Sequence, residues 1–406
     1  MSKSGKSPKK TVKSPKAEAG TAPSFLFGPT LYLRGIEVGD AANSVAWRPS
    51  PFPLPADLVE EQLNEEIPKQ RAEGTFSLIA CRCADDRAVG SLVYEVEDGH
   101  GCHLSLHADP LNPDRSDLMA EMLRVATPWL IAECDFLAVW FETVAGDPVV
   151  DAAAAELGMA RVSRFREALW HEGARRDLIC YEALHPAWLA RLGTPEPGIE
   201  GAVAREMRVR TPRTRADGSG DAPANAFVAG PRLHLRPLEG EDAEALARWS
   251  VRESDSSHDQ GRRIGSPISY RHQNRTNAEE NPPTWPRFAI VVTEGNLLIG
   301  SNGLVVDWLH RNAETETIIV QPEYRGKGYG TEAKHLLLEY AFERLGLHMV
   351  YSYVWDYNLR SCAALRKQGY RDAGRFHWTG LKNAEWTHDM SFDLLADEWR
   401  ERIGGR

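Results

Sequence analysis

The sequence predicts a protein of mixed α/β (α+β) class, built as two tandem units in which a mostly antiparallel sheet is flanked by helices. Three observations predict it. The chain has 406 residues, too long for one ordinary core and suited to two domains of common size. "GPTLYLRGIEVGDAANSVAW" (28–47) and "GPRLHLRPLEGEDAEALARW" (230–249) lie 202 positions apart and share nine of twenty residues, where chance gives about one or two. In both halves short strand-like runs alternate with stretches of helical period.

Residues 1–24 form a basic tail. Between residues 2 and 24 there are six lysines, one acid and almost nothing to bury, so the composition predicts disorder. It lacks the apolar core of a secretory signal. The first unit spans 25–192, a linker dense in Gly, Pro, Ala and Arg spans 193–229, and the second unit spans 230–406. Each unit opens with a strand of alternating leucines, then an acidic N-cap region leading into a helix. "FSLIACRCADDRAVGSLVYEVE" (76–97) and "FAIVVTEGNLLIGSNGLVVDW" (288–308) read as matching hairpins closed by polar turns. Residues 117–133 and 331–346 read as matching helices with apolar residues at three and four spacing. A shorter pair, 151–159 and 361–370, reads as helices stopped by glycine.

Composition narrows the function. The chain carries 48 Lys plus Arg against 58 Asp plus Glu, a net charge of −10, and without the tail 42 face 57. An acidic body argues against nucleic acid as the main ligand and favours cationic substrates such as amines. No apolar stretch approaches a membrane span. Six cysteines without secreted-scaffold spacing point to a reducing cytoplasm, and "CRC" (81–83) with "CH" (102–103) lacks the paired spacing of a zinc module, so no metal is expected.

The chemistry concentrates in "YRGKGYG" (324–330), which follows the β-branched run "TIIVQP" (317–322) and precedes a helix expected to begin near Thr331. Glycine lets backbone amides approach a ligand closely, and amides at a helix N-terminus attract anions. Arg325 and Lys327 add positive charge. The spacing is neither a Walker loop nor a dinucleotide fingerprint, so by itself it fits either a phosphate cradle or a flexible turn.

"AETETIIVQPEYRGKGYGTEAKHLL" (313–337) followed by "NLRSCAALRKQGY" (358–370) resembles the acetyl-CoA motif of the GNAT superfamily of N-acetyltransferases. Arg325, Gly328 and Gly330 match its [RQ]-x-x-G-x-[GA] loop. The Asn358-x-x-Ser361 pattern and "EWTHDMSFDLLADEWRER" (385–402) resemble its RimJ/RimL-like branch, which acetylates protein N-termini or small amines. The resemblance covers essentially all of 230–402. It implies that acetyl-CoA is the cosubstrate and that the loop Arg325, Gly326, Lys327, Gly328, Tyr329, Gly330 and Thr331 binds its pyrophosphate. It also implies that Asn358 and Ser361 help hold the cofactor, and that the backbone of Ile318, Ile319 and Val320 pairs with pantetheine.

An amine nucleophile near pKa ~8 to ~10.4 is mostly protonated at pH 7, so a general base is expected. Glu314 and Glu316 lie two apart on the strand and face the same side. Glu314 matches the family's strand acid best, and Glu316 is its neighbour; both can equally be solvated acids that attract a cation. The family tyrosine expected seven residues after the Asn is Leu365, which leaves the general acid unassigned. His310, His348, His377 and His388 sit in no nucleophile or metal motif and are expected to be structural. In the first unit "DPLNPDRSDLM" (109–119) stands where the second has "PEYRGKGYGTE" (322–332), with all three glycines gone and Pro113, Asp114 and Asp117 in the loop, and Asp147 and Val150 stand for Asn358 and Ser361. That unit is expected not to bind CoA and to pack on the second. A non-catalytic acyl-CoA sensor is the alternative reading, and the loops that make the acceptor cleft are expected to include 253–286.

Overall fold

The protein is described by a computed structural model over residues 26–50, 52–97, 100–196, 223–250 and 266–404. The tail, most of the linker and residues 251–265, which include the start of the expected acceptor loop, lie outside the described residues. In chain order the strands are β1 Leu31–Gly35, β2 Thr75–Arg82, β3 Ala88–Glu97, β4 Gly101–Ala108, β5 Ala138–Val144, β6 Ala160–His171, β7 Ala174–Leu184, β8 Val228–Ala229, β9 Leu233–Pro237, β10 Arg287–Val292, β11 Leu297–Asp307, β12 Asn312–Ile319, β13 Met349–Trp355, β14 Arg371–Lys382 and β15 Glu385–Leu395. The helices are α1 Ala56–Glu73, α2 Arg115–Ala132, α3 Pro148–Glu156, α4 Pro186–Leu192, α5 Gly240–Ser250, α6 Pro267–Glu279, α7 Tyr329–Glu339, α8 Leu359–Gln368 and α9 Ala396–Gly404.

All strands join one sheet in the order β1-β2-β3-β4-β5-β7-β6-β14-β15-β13-β12-β11-β10-β9-β8. Read inward from either edge, the connectivity is the same once β8 is set aside. Val228 and Ala229, at the end of the expected linker, pair with β9, where Val228 is buried and Phe227 packs on Phe288 and Tyr340. The neighbours β4/β5 and β12/β13 run parallel, joined by the crossover helices α2 and α7. Gly101 registers with Ala138 and Asn312 with Met349, so residues 101–184 correspond to 312–395 at a separation of 211 positions.

The residues shared by the repeat explain its opening. Asp40 and Asp242 each accept the backbone N–H three residues earlier, from Glu37 at 2.8 Å and Glu239 at 2.9 Å, and each is gripped by an arginine, Arg34 or Arg236. In the first half the expected helix is a 3-10 segment, Val38–Ala46, broken at Asn43 where φ is −125°.

At the centre β6 meets β14 with Ser163 opposite Gly374. A Cβ at Gly374 would stand 2.1 Å from the Val162 carbonyl oxygen, so only glycine allows this approach. Buried carboxylates flank the join. Asp393 accepts the N–H of Arg166 at 2.9 Å, and Glu182 accepts the N–H of His377 at 2.7 Å. Asp393 corresponds to Glu182 and His377 to Arg166, so the two contacts are related by a pseudo-two-fold axis through Ser163 and Gly374.

Candidate active site

β12 and β13 are paired only at Asn312–Glu314 with Met349–Tyr351, then separate, while β12 stays paired with β11 as far as Ile319. The separation leaves an open edge of peptide groups. The Thr315 carbonyl faces it, accepting Ser352 Oγ and Lys334 Nζ, both at 3.0 Å. By strand alternation Thr317 and Ile319 present their peptide groups to the same edge. Beneath the fork Thr315 Oγ1 meets Ser352 Oγ at 2.6 Å and Tyr370 OH at 2.8 Å.

The chain leaves β12 through a single turn, Pro322–Tyr324. Gly326 (φ +70°) and Gly328 (φ +83°) then take left-handed conformations, and α7 starts at Tyr329, two residues before its expected start. A side chain at Gly326 would meet no atom within 4 Å, so the loop leaves open space above the α7 N-terminus. Glu332, buried in the first turn of α7, accepts the backbone N–H groups of Arg232 and Leu233 and ties the helix start to β9. α8 is capped by Asn358, whose Oδ1 accepts the Ser361 N–H at 3.2 Å.

These elements enclose a cavity of about 530 Å³. Of the sequence-predicted residues, Glu314, Glu316, Ile319, Arg325, Gly326, Gly328, Gly330, Thr331, Asn358 and Ser361 line it. Ile318, Val320, Lys327 and Tyr329 do not. Val320 packs with Leu238 and Leu246 on the other face and donates its N–H to the Ile299 carbonyl, while the Ile319 carbonyl accepts Arg325 Nε at 2.8 Å. The free edge therefore sits nearer Thr317 than the expected 318–320. Arg325 spends hydrogen bonds on the strand carbonyls, so it shapes the loop as well as charging it. Lys327 offers its carbonyl to Arg232, whose guanidinium lies 4.1 Å from the Tyr329 ring centroid.

The strand carboxylates and a buried lysine, Lys334, act on one another's charge without forming an ion pair. Burial raises the Glu314 pKa to about 7, helped by the charge of Glu316, against the opposing effects of Lys334 and the Tyr353 N–H. Burial lowers Lys334 to about 7, against the attraction of Glu316 and Glu314. Glu316 accepts Trp285 Nε1 at 3.2 Å. Sequence reasoning missed Lys334, Thr315, Ser352 and Gln368; the one available signal was a lysine inside an apolar helical stripe.

The residues fit a CoA-like ligand. The glycines leave a cradle of amides, and Gln368 Oε1, on a side chain 2% exposed, lacks a hydrogen-bond partner beside the cavity. The first half differs in backbone as well as side chains. Glu121, the counterpart of Glu332, accepts the N–H groups of Thr30 and Leu31, which aligns Gly326 with Arg115 instead of the residue two earlier. There α2 is already helical, so an extra turn fills the place of the loop. Asp147 still caps α3 and also accepts Ser116 Oγ at 2.7 Å, joining the two helix starts.

The four histidines take structural contacts. His310 and His348 bond Trp170 and Glu167 of the first half, His377 bonds Glu182, and His388 accepts the Trp378 N–H. Among the described residues no group of three His, Cys, Asp or Glu side chains is placed to hold a metal ion, and no helix is long and apolar enough to cross a membrane.

Residues 232–371 match the model of the acetyltransferase (GNAT) domain family. The chain is 29% identical over 115 residues to an uncharacterized N-acetyltransferase, YnaD, of Bacillus subtilis, covering 28% of this chain and 66% of that one. It is 38% identical over 94 residues to spermidine N(1)-acetyltransferase of Escherichia coli K12, covering 23% of this chain and 50% of that one. The chain thus spans two thirds or less of these curated relatives. Among solved structures it is similar to spermidine N-acetyltransferase from Vibrio cholerae in complex with CoA and spermine, at 23% identity and a TM-score of 0.38 over 41% of this chain and 98% of that one. An acetyltransferase of the GNAT family from Bacillus anthracis gives 23% identity and a TM-score of 0.36 over 41% and 96%.

Proposed function

We propose that the protein is an N-acetyltransferase that takes acetyl from acetyl-CoA in the cavity of the second half and delivers it to a primary amine, either a protein N-terminus or a small amine. The observation that carries this reading is the fork between β12 and β13, which opens between a glycine cradle and a buried carboxyl. Acetyl-CoA supplies an activated acyl carbon. The open β12 edge offers N–H groups for its carbonyl oxygen, Glu314 removes the amine proton, and Glu316 with Trp285 borders the approach. A carboxyl with pKa about 7 is matched to this task, since it is half ionised at neutral pH and basic enough to accept a proton. Arg325, Gly326, Gly328, Gly330 and Thr331 of the cradle, with Asn358 and Ser361, hold the cofactor. The amine-acetylating relatives and the acidic charge support an amine acceptor.

In this reading the chain carries two tandem GNAT-like domains of RimJ/RimL-like type, 25–192 and 230–406. The first is degenerate and serves as a packing partner, and the protein works in the cytoplasm. Release of free CoA from acetyl-CoA across a panel of amines and peptides tests it, with turnover of at least one amine expected. Saturable acetyl-CoA binding without turnover of any would leave a sensor; no binding would remove the cofactor as well.

A further inference from the structure

The half that keeps the glycines also keeps a polar floor that its counterpart lacks. Thr315, Lys334, Ser352, Gln368 and Tyr370 correspond to Leu104, Leu123, Phe141, Leu157 and Met159. Leu104, Leu123 and Phe141 are wholly buried, so hydrocarbon fills these places well in the same architecture. Placing an ammonium where leucine suffices is costly, and no carboxylate of the described residues forms an ion pair with Lys334. Its Nζ donates to the Thr315 carbonyl at 3.0 Å, and the side chain, 5% exposed, lines the cavity. Leu365, which lines the same cavity, has no proton to give.

We propose that Lys334 is the proton donor to the departing CoA sulfur. This rests on the acetyltransferase reading. The amine nitrogen bonds to the acyl carbon and loses a proton to Glu314; the C–S bond breaks with its electron pair on sulfur, and Lys334 gives sulfur a proton. Glu314 then loses its proton to water and the neutral Lys334 takes one from water, which resets both groups. The groups facing Lys334 are Glu314 and Glu316 on β12, Ser352 and Tyr353 on β13, Gln368 and Tyr370 at the end of α8, with Arg325, Arg360 and Lys367 farther out around the cavity.

A thiol in contact with Lys334 shares one proton with the amine, so at pH 7, where Lys334 is only partly protonated beforehand, CoA binding should release a fraction of a proton that desulfo-CoA binding does not. Calorimetry at pH 7 in buffers of different ionisation enthalpy counts those protons. In Lys334→Gln, which keeps a donor for Thr315 but cannot titrate, the sulfur-dependent release should vanish. Acetyl-CoA affinity should change less than about threefold, while kcat falls about 10²-fold or more. Equal proton counts for CoA and desulfo-CoA in the wild type would overturn the proposal even if the variant failed to fold, as would an unchanged count in a folded Lys334→Gln. Absence of any CoA binding would instead sink the acetyltransferase reading on which it rests.

Discussion

At the scale of single residues, the proposed function makes Glu314 the link between burial and catalysis. The carboxyl is held near pKa 7 by desolvation and by Glu316, so kcat/KM should rise with pH through about 7 as the base ionises. That step is separate from the ionisation of an amine acceptor at ~8 or above. Glu314→Gln should lower kcat by about 10²-fold to 10⁴-fold and erase the step. Glu316→Gln removes a like charge, so the midpoint should move to lower pH; a midpoint that stays put or moves up would show that Glu316 does not act on Glu314. Both carboxylates were legible in the sequence because a period of two places them on one face. Lys334 was not, because a lysine in an amphipathic helix ordinarily reaches solvent, and only the packing of α7 under β12 buries it.

At the scale of elements, the site is a junction of one strand edge, one loop and two helix starts. Gly328 is the sensitive point. Its φ of +83° disfavours any side chain, and a carboxylate there would add negative charge to the loop that lines the cavity. Gly328→Asp should weaken acetyl-CoA binding by at least about 100-fold while costing only about 1 kcal/mol of stability, measured by titration and thermal melting. Unaltered affinity in a folded variant would remove the loop from the binding site. The strand, loop and helix could be read in order from "TIIVQPEYRGKGYG" because glycine spacing and the change of period are local signals. Which peptide groups are free could not. That depends on where β13 parts from β12 and on the carbonyls Arg325 occupies, both products of long-range pairing. The extra turn of α2 was hidden for the same reason, since only the Glu121 and Glu332 contacts fix the alignment of the halves.

At the scale of the whole molecule, the two halves of the sheet meet about a pseudo-two-fold axis, and the paired contacts differ in chemistry. On one side Arg166 binds Asp393; on the other His377 binds Glu182. Burial opposes a charge on His377, but the Glu182 carboxylate 2.5 Å from Nδ1 outweighs it and raises the pKa. A histidine raised on folding stabilises fully below its unfolded value of about 6.5, and that contribution fades as pH climbs through the raised folded value. The melting-temperature difference between wild type and His377→Gln should therefore be largest in acid and shrink with rising pH. A difference independent of pH would mean that the ion pair does not form. By itself the sequence determined the class, the duplicated order of elements, the glycine loop and the face that carries the acids, because repeats and periods of two and 3.6 are written along the chain. Only the tertiary structure decided that the copies share one sheet, that Gly374 closes against Ser163, and that a lysine lies beneath the fork. Those facts arise from contacts between residues far apart in the chain, where burial and strand register, set by the whole fold, determine what each side chain meets.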